Sequence, residues 1–520
     1  MHKIFICLIA GALSAGAAEW NQWRGPNRNG LVPDQVRLDT QFPEAGPKEI
    51  WRSEPIPSND DGGHGSLVIS GNRIYMGIVW HKNIPSEKRE LNELVVRRMG
   101  FRNLSQHKGL ADKMEEARLA LSSRLRGAKL EEWADAWLKE HLDPKQQEAI
   151  GGWIKDRFKK GKSAVPYGDL EKISKAGDLL FENDKIFKAW IEKQGFSKLA
   201  REQLIKVVPS SIREAKDVVI CIDGTNGKTL WRSETPGHPT GRKSSSTPCV
   251  ANGKVYAAGS THAHCVDAKT GKPVWSVKLP SKPTASSFLV ADGRAFIMAG
   301  RLVALNAETG REIWQSEDAR GGNSSPMIWE HKGHQFIIIS AGREVFCLNP
   351  SDGSVVWSVA GGGDSTPVIY GDWLVSYSRD AKIGLAGYKL SLAGAEMIWN
   401  LALDARRSQS TPIIYQKHVY LAGGENQLCL ELATGKVQWR EKRQSTISSP
   451  LIADGKFILM EKKGSDLVML EATPEAHREI AKTRVKAMWC PSPVISKGRL
   501  YLRRENHVVC FNLALRQLVP

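Results

Sequence analysis

Asp364 follows three consecutive glycines, Gly361–Gly363, in a repeat that lacks neighbouring Lys or Arg. A carboxylate there can serve as a general base or a metal ligand, or it can cap a turn. His262 and His264 alternate onto one side of an extended segment, as a metal-binding pair would, although no third ligand lies nearby in sequence. His64, in Gly62-Gly63-His64-Gly65, reaches the same end of the fold as Asp364. Basic residues recur five to seven positions before a repeated phrase: Arg242 and Lys243, Lys282, Arg320, Arg406 and Arg407, Arg443, and Lys486. Gathered in one place they would form an electropositive rim suited to a carboxylate-rich or phosphorylated ligand, a glycan, or an acidic protein surface. Otherwise they are solvated loop charges. The chain has no nucleophile elbow, phosphate-binding glycine loop, zinc-type spacing or Cys-x-x-Cys-His haem motif.

The elements that position these residues are repeats of about forty residues. One turn recurs as Asp223–Trp231, Asp267–Trp275, Asn306–Trp314, Asn349–Trp357 and Glu431–Trp439, most with Thr-Gly or Asp-Gly before the Trp, and a looser copy ends at Trp399. A second phrase, Ser/Thr-Pro, opens a β-branched strand at Thr247, Ser325, Thr366, Thr411, Ser449 and Ser492, with Ser66-Leu67 and Ser287-Phe288 as degenerate copies. Asn252-Gly253, Asp292-Gly293 and Asp454-Gly455 have hairpin-turn chemistry. Eight units of four short strands predict an all-β, eight-bladed β-propeller. The last unit stops short of its fourth strand, and Pro47–Trp51 has that strand's signature, so ring closure by the N-terminal strand is expected. Trp51, Trp231, Trp275, Trp314, Trp357, Trp399 and Trp439 are expected to dock blade against blade.

The first blade is interrupted between Val79 and Val218 by a segment rich in Leu, Lys, Glu and Ala, with helical spacing over Leu110–Arg126, Leu130–His141, Gln146–Lys160 and Asp184–Lys193. Trp133, Trp137, Trp153 and Trp190 are its expected core. It carries 29 Lys+Arg against 21 Asp+Glu, a large share of the whole chain's +17. Strand alternation places this insertion on the face that bears the Ser/Thr-Pro loops. Residues 1–18 read as an export signal: His2-Lys3, an apolar run to Leu13, then small residues. The expected organisation is thus 1–18 signal, 19–80 entry with the closing strand and the start of the first blade, 81–216 helical insertion, and 217–520 the remaining propeller.

Five of the seven cysteines left after the signal (Cys221, Cys265, Cys347, Cys429, Cys510) occupy one repeat position. Equivalent positions in packed sheets are too far apart for a disulfide, so they read as small buried residues. The composition, 41% hydrophobic and 8% aromatic, excludes disorder for the bulk of the chain. Nucleic acid is not an expected partner, because the protein reads as exported and no recognition motif occurs.

The Asp/Asn-x-x-Thr-Gly-x-x-x-Trp segments resemble the tryptophan-docking repeat of pyrroloquinoline quinone (PQQ) enzymes and equally that of the outer-membrane β-barrel assembly propeller lipoprotein. The opening Trp20-Asn-Gln-Trp23-Arg-Gly-Pro-Asn-Arg-Asn-Gly30 is similar to the entry of exported PQQ-like propellers. The resemblance covers roughly residues 19–80 and 217–520. It implies the quinoprotein alcohol dehydrogenase-like fold and a periplasmic or extracellular location. It also implies either of two roles. One is a non-catalytic binding or scaffolding module, monomeric or in a larger envelope complex. The other is an alcohol or sugar dehydrogenase holding PQQ and calcium. The dehydrogenase role would need a carboxylate and amide metal site, an Asp base and often a vicinal disulfide. No residue maps onto that set, and no adjacent Cys-Cys pair occurs.

Overall fold

A computed structural model of the protein describes residues 20–515 except 45, 57–62, 108, 123, 240–243, 282–283, 404–409, 424 and 444–446. The chain divides into two compact units, one holding the residues up to His81 together with those from Ala215 onward, the other Lys82–Glu214.

In the first unit the described residues form eight antiparallel sheets, seven of four strands and one of three. The three-stranded sheet has one long strand, Arg294–Asn306, that turns at Gly300 (φ 80°) and does the work of two. The first sheet runs Val68–Ser70, Arg73–Pro85, Ser211–Asp223, Thr229–Pro236. The last runs Val494–Ser496, Arg499–Arg503, Val508–Asn512, and its outermost strand is Glu49–Arg52 from the N-terminal region. The N-terminal strand thus supplies the fourth strand of the last sheet, and the chain closes a β-propeller. Inner strands are buried on both faces, so they read as unbroken apolar runs, whereas the outermost strands alternate.

Sheet joins sheet through the repeated tryptophans. Each indole N–H donates to a backbone carbonyl of the next sheet, from Trp51 to Gly224 (3.0 Å) and Trp275 to Ala307 (3.0 Å) through Trp439 to Thr473 (2.9 Å). The ring also lies on the glycine of the next turn: a β-carbon on Gly227, Gly271, Gly310, Gly353 or Gly435 would stand 2.5–2.6 Å from the preceding Trp. Those glycines are required twice, for φ near +70 to +78° and for the missing side chain. Opposite each Trp in register sits a small residue: Cys221, Cys265, Cys347, Cys429 and Cys510 face Trp231, Trp275, Trp357, Trp439 and Trp51. Ala304 and Gly387 fill the same place opposite Trp314 and Trp399. All seven described cysteines are free thiols, six of them buried.

The Ser/Thr-Pro phrase makes a belt around the channel. The backbone N–H of Ser66 donates to Thr247 Oγ1, Thr247 to Ser287 Oγ, Ser287 to Ser325 Oγ and Ser325 to Thr366 Oγ1; Thr411 donates to Ser449 Oγ, Ser449 to Ser492 Oγ, and Ser492 back to Ser66 Oγ, all at 2.9–3.1 Å. Ser66 and Ser287, degenerate as sequence, are full members, because the belt needs the hydroxyl and not the proline. Its one gap among the described residues is between Thr366 and Thr411, where Thr411 Oγ1 is buried without a described hydrogen-bond partner and Ser365 Oγ instead reaches Ser410 O (3.0 Å).

The second unit is helical, with a two-stranded ribbon of Arg89–Leu91 and Leu179–Phe181. The expected helices appear as Leu110–Ala120, Ala128–His141, a run from Pro144 to Lys160 and Asp184–Lys193. Glu93–Arg98, Tyr167–Lys175 and Lys198–Val207 are three further helices that the sequence reading did not expect. Their starts carry local signals: Asn92 and Ser197 accept from Val95 N and Ala200 N. Asp143 and Gln146 form a capping box around Pro144. Trp133 and Trp137 meet Phe158 edge-on at 5.1 Å, and Trp190 packs with Phe181 and Phe196. No described helix is long and apolar enough to cross a membrane.

Candidate functional site

The channel of the propeller is occupied by the chain itself. Trp20–Gly30 coils through successive turns with Arg24, Gly25, Arg28 and Gly30 all at positive φ. Two non-glycine residues held there mark backbone strain that the surroundings must sustain. The segment touches the inner strands in turn: Trp20 pairs with Ile69, Asn21 O accepts from Val250 N, and Val32 N donates to Ile452 O. The Arg24 guanidinium, 3% exposed, donates to the carbonyls of Pro412 (2.8 Å), Asn29 (2.9 Å) and Thr411 (3.2 Å). Arg28, 2% exposed, donates to Phe288 O (2.7 Å), Ser287 O (3.2 Å) and Gln22 Oε1 (3.0 Å). Both lie over the Trp23 ring at 5.7 and 5.9 Å. Burial lowers the Arg24 pKa to about 9, with the Arg28 charge adding to it, and burial lowers that of Arg28 to about 10. The cations are held by backbone carbonyls, which are fixed dipoles and carry no countercharge.

Above this plug a cavity of about 60 Å³ is lined, among the described residues, by Trp23, His64, Ser245, Asn323, Asp364, Ile447, Cys490 and hydroxyls of the belt. Asp364 reaches it because Gly361–Gly363 let the chain thread closely: side chains at Gly361 and Gly362 would overlap Tyr388 Oη and the Glu344 backbone. Its Oδ1 accepts from Asn323 Nδ2 (2.8 Å) and Arg379 Nη2 (2.6 Å), so the carboxylate anchors two neighbours at the mouth. Trp489, 43% exposed, meets His64 edge-on at 5.4 Å. Burial pushes the Cys490 thiol up to about 11.

The candidate rim cations divide. Arg242, Lys243, Lys282, Arg406 and Arg407 lie outside the described residues. Arg320 donates to Glu317 O and pairs loosely with its carboxylate (3.6 Å). Arg443 binds Glu461 (2.9 Å) and Glu479 (2.6 Å), a half-buried network that neutralises it. Lys486 is exposed. None of these three lines the cavity. His262 and His264 share a strand face with ring centroids 6.3 Å apart, but both nitrogens of His264 are engaged, Nε2 by Asp217 and Nδ1 by Ser276. The pair therefore does not converge on one metal position. No group of three or more His, Cys, Asp or Glu among the described residues could hold a metal ion. What sequence reasoning missed is the plug; its signal was two arginines and two tryptophans within eleven residues that have no periodicity and no acidic residue.

Calcium takes about six to eight oxygen ligands. Asp364 is the one carboxylate among the described lining residues, and it is already paired with Arg379. Small-molecule sites usually offer about 300–1,000 Å³, far more than this cavity. The described residues thus do not fit PQQ with calcium.

A structure of BamB from Moraxella catarrhalis is 16% identical, with a TM-score of 0.47, over 58% of this chain and 90% of that one. The quinohemoprotein alcohol dehydrogenase of Comamonas testosteroni is 13% identical, with a TM-score of 0.44, over 59% and 74%. The glycerol dehydrogenase large subunit of Gluconobacter oxydans (strain 621H) is 35% identical over 77 residues, 14% of this chain, and the match spans a tenth of that subunit's length. The PQQ_2 family model, described as outer membrane protein assembly factor BamB, matches residues 215–366 and 343–517. With more than half of its length matched, the chain belongs to this family of PQQ-like propellers.

Proposed function

We propose that the protein is a binding or scaffolding module of the cell envelope, non-catalytic at its channel, that engages an acidic partner, a protein surface or an anionic glycan or small molecule, at the Ser/Thr-Pro face of its propeller. One observation carries this reading: the channel, where a propeller would seat a cofactor, is filled by Trp20–Gly30, and Arg24 and Arg28 spend their donors on the inner strands. The surface left for recognition is the mouth, where Trp489 stands exposed against His64, and His64 and Asp364, the latter held by Arg379, line the cavity. The family match and the BamB neighbour support a scaffolding role. The export signal read in residues 1–18 supports an envelope location. A PQQ- and calcium-dependent oxidoreductase is the alternative, and the lining residues do not favour it.

Retention on immobilised sulfated glycan and on polyglutamate, against neutral dextran, tests the reading. Wild type is expected to bind both anionic supports and to elute at lower salt once Arg406→Ala and Arg407→Ala are introduced together. Elution of wild type and variant at the same salt would overturn the assignment of the mouth.

A further inference from the structure

Away from the channel cavity, three side chains from two adjacent sheets stand in line. Asp217 comes from Ser211–Asp223, His264 from His262–Asp267, and Ser276 from Pro273–Lys278, the outermost strand of its sheet. The Asp217 side chain is 2% exposed and that of His264 is 9% exposed, whereas Ser276 is exposed. Asp217 Oδ1 accepts from Ser260 N (2.7 Å); its Oδ2 accepts from Ser260 Oγ (3.1 Å) and meets His264 Nε2 at 3.0 Å. A carboxylate is acceptor-only, so Nε2 carries the ring proton and Nδ1 presents its lone pair. Ser276 Oγ lies 3.1 Å from Nδ1, and the sheet holds it there, because His264 and Ser276 are direct cross-strand partners. Space is kept for the arrangement: a β-carbon on Gly259 would overlap both Asp217 Oδ2 and His264 Nε2. His262 and Lys278, also cross-strand partners, occupy the same sheet face two residues along from His264 and Ser276.

We propose that Ser276 is a nucleophile activated by His264 and oriented through Asp217, and that this flank of the propeller cleaves esters of short acyl groups. It is the acid–base–nucleophile logic of serine hydrolases with the two imidazole nitrogens exchanged. Ser276 Oγ attacks the ester carbonyl carbon, and its proton passes to Nδ1. The bond from that carbon to the alcohol oxygen breaks, and the leaving oxygen takes the proton back from Nδ1. Water then adds to the acyl-serine, gives a proton to Nδ1, and the carboxylic acid departs as Ser276 regains its hydrogen. Asp217 offsets the charge on the imidazolium at each stage, and Lys278 and His262 supply cationic and N–H donors on the side where the oxyanion forms. Ser276 stands on an exposed strand, which suits an acetyl-sized group on a larger carrier. The site shares no residue with the channel mouth, so its failure and that of the binding reading are separable.

The test uses the mature full chain with a fluorophosphonate probe, mapped by peptide mass spectrometry, and with p-nitrophenyl acetate. Labelling is expected at Ser276. Ser276→Ala, an exposed change that leaves circular dichroism unaltered, should abolish labelling and return hydrolysis to the rate of a scrambled-site control. Asp217→Asn should cut hydrolysis by about 10²–10⁴-fold, since the amide no longer fixes the imidazole tautomer. Labelling elsewhere or nowhere, or hydrolysis undiminished in Ser276→Ala, overturns the proposal; Ser276→Ala decides even where Asp217→Asn fails to fold.

Discussion

Trp231 lies on Gly271 of the next sheet so closely that a β-carbon there would stand 2.5 Å from the indole ring. The same contact recurs around the ring, with Trp51 on Gly227 joining the last sheet to the first. Gly271→Ala must displace the ring and also hold φ near +72°. The expected loss is about 2–4 kcal/mol, from overpacking and left-handed strain together. A urea midpoint unchanged from wild type would contradict the docking account.

The belt of hydroxyls gives a paired prediction. Ser449→Ala removes the acceptor of Thr411 N–H and leaves a buried donor unsatisfied, which costs about 1–3 kcal/mol. Thr411→Val removes a hydroxyl that has no partner among the described residues and should be near neutral. Equal losses in the two variants, by thermal unfolding, would show that the belt is not organised as described.

Arg24 is the keystone of the plug. Arg24→Lys keeps the charge but cannot fork to the carbonyls of Pro412, Asn29 and Thr411, so it should recover little of the loss in Arg24→Ala. Both variants should lower the unfolding free energy by roughly 2–5 kcal/mol. Full rescue by Lys would reduce the role of Arg24 to charge alone.

Cys490 should be sluggish toward alkylation. Its thiol, pushed up to about 11 by burial, is almost wholly protonated at pH 8, and the thiolate is the nucleophile. Iodoacetamide is expected to modify it at least a hundredfold more slowly than free cysteine, with the rate rising toward pH 11. Modification at the rate of free cysteine would contradict its placement.

The propeller was legible because its signals are local and repeated: a Trp, a Gly four residues before it, a hydroxyl opening each unit. The belt was not, since a hydroxyl on one strand finds its donor some forty residues away and only ring closure sets Ser492 beside Ser66. The plug was hidden for a related reason. Arg24 and Arg28 reach partners 259 to 426 residues distant, and no periodicity announces that. Glu93–Arg98 escaped because fewer than two turns carry too little pattern, and Lys198–Val207 escaped although its cap at Ser197, like that at Asn92, was there to be read. Of the rim, Arg443 reads from sequence as a loop cation, but Glu461 and Glu479, from the next repeat, claim it.

The central claim is that the channel binds its own N-terminal segment and no quinone. Titrating the mature protein with PQQ in the presence of Ca²⁺, and following tryptophan fluorescence, tests it most directly, because Trp23 lines the cavity the cofactor would enter. No saturable change is expected at PQQ concentrations up to 100 μM, in wild type or in Arg406→Ala/Arg407→Ala. One-to-one saturation that the double variant weakens would contradict the account and make the protein a quinone-dependent oxidoreductase.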